Sequence, residues 1–119
     1  MTNREKMKQR FMRDPLDRRL GGLAATLARI SSSARHSESP VIVENLLDEA
    51  KHLIEWTAAD AEAETAAELV QIQRLITLWQ KSWTTAMQDK TQRILLATLA
   101  KEWSDRTLQS SGLIRDETS

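Results

Sequence analysis

Residues 41–111 contain neither glycine nor proline. Those two residues punctuate a chain most strongly, and the stretch without them is rich in Ala, Leu, Glu, Gln, Lys and Arg, which favour helix. Such a segment orders its backbone as helices joined by turns of ordinary residues. No run alternates apolar and polar residues convincingly as a half-buried strand would, so the expected fold class is all-α. Inside the stretch, Leu69, Ile72, Ile76, Trp79, Trp83 and Met87 recur at steps of three or four and fall on one stripe of one helix. No other segment is so strongly patterned, and this stripe is expected to organise the core.

At 119 residues the chain makes one domain, large enough to bury about two thirds of the surface its unfolded form exposes. Helices are expected at 15–35, 40–56, 58–88 and 90–110, packed as an antiparallel bundle that homodimerisation completes, the alternative being a bundle closed within the monomer. Asp14-Pro15 and Ser39-Pro40 each join a capping side chain to a residue whose fixed φ suits a first helical turn. Leu16, Leu20, Leu23, Leu27 and Ile30 then step like a coiled-coil seam. Gly21 and Gly22 interrupt that seam, either because the helix starts after them or because another backbone comes close. The second half of Ser31–Ser39 reads as the first loop.

Val43, Leu46, Leu47, Ala50, Leu53 and Ile54 share a face of the second helix. It reaches Trp56, where Thr57 to Asp60 has the form of a capping box; the alternative is one continuous helix over 40–87. The alanines at 58, 59, 61, 63, 66 and 67 would let a neighbouring helix approach closely. Asp89 to Gln92 reads as the cap of a last helix carrying Leu95, Leu96, Leu99 and Trp103. Gly112 is its stop, with Leu113 or Ile114 folding back on the last turn. Residues 1–14 are expected as a basic flexible arm and 113–119 as a tail.

The formal net charge of zero conceals segregation, because residues 1–35 carry +6, 36–68 carry −8 and the remainder +2. The basic first helix is therefore expected beside the acidic second one, in the same chain or across a twofold axis. Cysteine is absent, which excludes disulfides, thiolate nucleophiles and cysteine-ligated metals and suits a reducing cytosol. No window approaches the ~20 apolar residues of a membrane span, and the charged N-terminus is unlike a secretory leader. The expectation is a cytoplasmic protein with no transmembrane segment.

Glu49 and His52 have the Glu-x-x-His spacing by which helix bundles hold di-iron centres. At ~100° per residue the pair points away from the apolar face of its helix, and the motif has no second copy. Neither a metal site nor a cofactor is expected. His36 lacks a nucleophile elbow or a triad, and Gly21-Gly22 lacks the lysine and hydroxyl of a phosphate loop, so no catalytic residue is assigned. Ser31 to Ser33 after Arg29 could be phosphorylated, although a helix end accounts for them equally.

More weight falls on Arg4, Lys6, Lys8, Arg10, Arg13, Arg18 and Arg19, interleaved with Met7, Phe11 and Met12. This set could contact nucleic acid phosphates or an anionic membrane surface, against which stand the neutral balance and the acidic helix nearby. The stripe residues with Trp56 and Trp103 are expected in the core, an interface hot spot or a small-molecule cavity being the alternatives.

The segments LAATLARISSS, LIEWTAADAE, LWQKSW and EWSDRTLQSSGLI together resemble a family of small uncharacterised all-helical proteins associated with cyanobacterial genomes. The resemblance covers residues 16–114. It implies a helical protein without an assigned reaction and carries over no site residue.

The function expected from the sequence is a non-enzymatic protein–protein interaction module, a scaffold or adaptor that docks another protein and forms a homodimer. Nucleic acid or anionic-surface binding through the arm is the second reading.

Overall fold

The computed structural model describes residues 2–36 and 40–112. Five helices account for nearly all of them: α1 (Asn3–Met12), α2 (Leu16–Ala34), α3 (Pro40–Ala58), α4 (Ala63–Ala86) and α5 (Lys90–Ser111). No strand occurs among the described residues. The helix ends follow local chemistry. Thr2 caps α1, its hydroxyl accepting from the Glu5 amide. Asp89 caps α5 by accepting from the Thr91 amide. Gly112 stops α5 at φ 76°, a left-handed conformation that glycine adopts without steric penalty. Leu113 and Ile114 lie outside the described residues. Pro15 precedes α2 and no side chain caps that helix, so the cap expected from Asp14 does not form.

A break does separate α3 from α4, but it falls at 59–62 rather than at Thr57. Thr57 is inside α3 and fully buried, while Asp60 accepts a hydrogen bond from Arg19 instead of capping a helix. Residues 1–14, expected as a flexible arm, contain α1, whose Met7 and Phe11 are half-buried against the core. The Phe11 ring lies 6.0 Å from that of Trp56. α2 runs unbroken through Gly21 and Gly22, and a Cβ on Gly22 would meet Phe11 Cε1 at 3.7 Å. What approaches the helix there is a side chain, not a backbone.

The hub of the fold is α2 rather than α4. It packs most extensively on α5 and also on α3, whereas α4 packs on α3 and meets α5 only sparsely. Small residues make the α2–α5 seam. Ser104 Oγ donates to the Ala24 carbonyl at 2.7 Å and Ser31 Oγ to the Ala97 carbonyl at 2.6 Å, contacts that only close backbones allow. Between these bonds the residue numbers climb along α2 as they fall along α5. The alanine-rich start of α4 is not the close-packed end, since Ala59, Ala63 and Ala67 are exposed.

Leu23, Leu27 and Ile30 of α2, Leu47 and Ile54 of α3, Ile76 of α4 and Leu96 of α5 are fully buried at the centre. The segregated charges meet as expected, Arg4 reaching Asp48 at 2.7 Å, Arg19 reaching Asp60 at 2.9 Å and Arg29 reaching Glu49 at 3.3 Å. The whole measures 45 × 38 × 20 Å, a slab about two helices thick.

Candidate interaction surface

Of the six stripe residues, Leu69, Ile72, Ile76 and Trp83 are buried, while Trp79 and Met87 are only half-buried. Trp83 donates its indole N–H to the Pro40 carbonyl at 2.9 Å, fastening α4 to the start of α3. Trp56 and Trp103 are buried as well. Trp79 differs from the other three tryptophans. Its ring lines an open groove of about 180 Å³ with Leu75, Leu78 and Ser82 of α4 and Gln92 of α5.

This groove exists because α4 and α5 are in sparse contact. Its α4 wall is apolar, with Leu78 60% exposed and Leu75 half-buried; on α5, outside that lining, Leu95 is 45% exposed and Leu99 half-buried. Isolated exposed leucines are ordinary on protein surfaces, but Leu75, Leu78 and Trp79 line one groove together and make an apolar patch on its α4 side. Leu95 was expected to share the buried face with Leu96 and Trp103. The structure turns it outward, one residue off the buried Leu96, which rotates it by ~100°.

The basic set divides. Arg19 is buried, its guanidinium donating to the Trp56 carbonyl at 3.2 Å and to Asp60 at 2.9 Å, so it is unavailable to a polyanion. Arg4 is spent on Asp48. Lys6, Lys8, Arg10, Arg13 and Arg18 are exposed, with no carboxylate at ion-pair distance among the described residues. Lys6, Arg10 and Arg13 occupy adjacent turns on one side of the α1 end of the molecule.

Glu49 and His52 do not face open solvent, as had been expected; both are about 30% exposed. Glu49 accepts from Thr26 at 3.1 Å and Arg29 at 3.3 Å. His52 Nδ1 lies 2.8 Å from the Asp48 carbonyl, with its ring 5.9 Å from that of Trp56. Glu49 is thus held from α2 and His52 from its own helix, while α1 borders the neighbouring part of α3. Asn3, Arg4 and Met7 wall one side of a cleft of about 410 Å³ opposite Asn45, Asp48 and Glu49. Arg4 and Asp48 of that cleft bond one another, while Glu49 is held by Thr26 and Arg29 of α2. Among the described residues no group of three or more His, Asp or Glu is placed to hold a metal ion.

His36 is exposed just beyond the end of α2, and Ser31 is buried and bonded to α5 rather than presented for modification. No described helix is long and apolar enough to cross a membrane.

The residue that reading by stripe passed over is Leu78, which lies one position from the stripe and belongs to a second, outward row with Leu75 and Ser82. An apolar residue repeated beside a stripe widens it to a face that one neighbour cannot cover.

No family model, curated protein or solved structure matches the chain.

Proposed function

We propose that this protein is a non-enzymatic interaction module, a small antiparallel helical bundle that docks another protein chain through the groove between α4 and α5. The observation that carries the reading is the open groove lined by Leu75, Leu78 and Trp79 beside Gln92 of α5, with Leu95 of α5 also exposed. A helix pair with an apolar cleft accepts a helix or a helix pair laid along it, and tryptophan at the floor is the side chain most often found at the energetic centre of such contacts. The cytoplasmic setting, the absence of a catalytic role and the kinship with small helical proteins of cyanobacterial genomes belong to the same reading.

A photo-crosslinking residue placed at Leu78 of the full chain tests it, with one at the exposed Lys101 as control. The expected result is a discrete adduct from position 78, absent from 101 and lost when Leu95→Glu is added. No adduct, or equal adducts at both positions, removes the reading.

A second reading, phosphate binding at the α1 end, is favoured by Lys6, Arg10 and Arg13, exposed on one side of that end and without an ion-pair partner among the described residues. Binding of a short duplex should then weaken steeply with salt, and Lys6→Ala/Arg10→Ala/Arg13→Ala should lower the slope of log K against log salt by about 2 to 3. An unchanged slope excludes it.

A further inference from the structure

We infer that the occupant of the α4–α5 groove is a second copy of this chain, related by a twofold axis parallel to the two helices, so that α4 of each protomer lies over α5 of the other. The inference rests on the reading that this groove is an interface, and adds the partner and its register.

The register comes from contacts within one chain. Arg106 reaches Glu68 at 4.0 Å at one end of the helix pair, and Gln92 shares the groove with Ser82 towards the other. Fourteen residues separate these points on each helix, from 68 to 82 and from 92 to 106. Levels can therefore be read across: Leu75 stands beside Leu99, Leu78 within one residue of Leu95, and Arg74 within two residues, about 3 Å, of Glu102. A twofold axis parallel to the helices leaves every level unchanged. Leu78 then meets the partner's Leu95, and Leu75 meets the partner's Leu99.

The charges choose this axis over the other face-to-face arrangement. The outer edge of α4 presents Arg74 and Lys81, both exposed and without a carboxylate partner among the described residues. The exposed side of α5 presents Thr91, Thr98 and Asp105 on one stripe, with Asp105 tied to Lys101 at 3.1 Å, and Glu102 beside them. An isologous interface must complement itself. An axis perpendicular to the helices stacks α4 on α4 and brings the cationic edges of both copies together. The parallel axis instead carries Arg74 to the partner's Glu102. Glu102 is held at 2.7 Å by Arg106 on the same exposed face, a pair of small net worth that can be shared. Leu75, Leu78, Trp79, Leu95 and Leu99 then close as the centre of a four-helix arrangement made by two chains.

Because the chain has no cysteine, single thiols report the geometry without background. Full-length Leu78→Cys and Leu95→Cys, mixed and oxidised, should give the mixed 78–95 disulfide severalfold over either self-link. Light scattering on the unmodified protein should give twice the 13.5 kDa chain mass at ~100 µM. Arg74→Glu and Glu102→Arg should each raise the dimer Kd about fivefold, and the two together should restore it, with helicity checked by circular dichroism in every variant. A monomer at all concentrations, a predominant 78–78 link, or a double variant no better than the singles overturns the inference. The crosslinker at position 78 separates the two levels of the argument. An adduct with a different protein keeps the interface and discards the second copy, whereas no adduct discards both.

Discussion

Arg19 shows how one side chain can serve two helices. Its side chain is only 9% exposed, and its guanidinium reaches the Trp56 carbonyl, one of the last four of α3, which have no amide of their own helix to accept from. It also holds Asp60 in the following turn and lies 3.6 Å from the Met12 sulfur. Arg19 Nε and Thr57 Oγ1 are buried without a partner among the described residues, so the site is already under-satisfied. Arg19→Met keeps most of the stem volume but strands the Trp56 carbonyl, and should lower unfolding stability by about 1–3 kcal/mol in chemical denaturation. Asp60→Asn, at a carboxylate half exposed to water, should lose no more than ~1 kcal/mol. Equal losses in the two would mean that the ion pair, not the carbonyl cap, is what matters. In the sequence Arg19 was indistinguishable from Arg18. Both follow the first proline and both carry a charge, and which of two adjacent arginines turns inward depends on where the end of α3 arrives. Arg10 and Arg13, by contrast, are exposed.

At the scale of helices, the sequence was most informative where it was most amphipathic. Leu69, Ile72, Ile76 and Trp83 gave α4 and its buried side, and Asp89 and Gly112 gave both ends of α5 because a cap and a left-handed stop are local chemistry. What periodicity could not disclose was the rank of α2. A helix flanked on two sides buries alanine, serine and threonine as well as leucine, and those residues weaken the contrast between faces by which a stripe is recognised. Nor could it disclose the groove, because an apolar row one position off the main stripe reads as a broad core face until the neighbouring helix is found to cover only part of it.

The α2–α5 seam makes a sharp prediction at this scale. Ala100 is fully buried between Ala97 and Ser104 on that face. Ala100→Leu would push apart backbones now near enough for serine-to-carbonyl bonds, and should cost about 1–3 kcal/mol or more in the thermal or denaturant midpoint. The same change at the exposed Ala63 of α4 should be nearly silent. A neutral Ala100→Leu would show that the seam can open without loss.

At the scale of the molecule, a slab 20 Å thick has little depth in which to hide anything, so protection must be concentrated along its middle. Native-state hydrogen exchange should find the slowest amides in α2 and α5, exchanging only with global unfolding. The fastest helical amides should lie in α1, which is fastened by Phe11, Met7 and one half-exposed ion pair. Amides of α1 as slow as those of α2 would show that it is integral to the cooperative core.

The Ser104 to Ala24 bond joins positions 80 residues apart in the chain. The inner side of α2 is therefore covered not by its successor but by the last of the described helices. Closing a loop of that size is a rare encounter for an unfolded polymer, and chains dominated by distant contacts reach their native state more slowly than those whose neighbours in space are neighbours in sequence. During that search α2 and α3 can pair early while the alanine and serine face of α2 stays bare. Speed of assembly is thus governed by the arrival of α5, and a substitution that slows folding without altering helix content belongs on that seam.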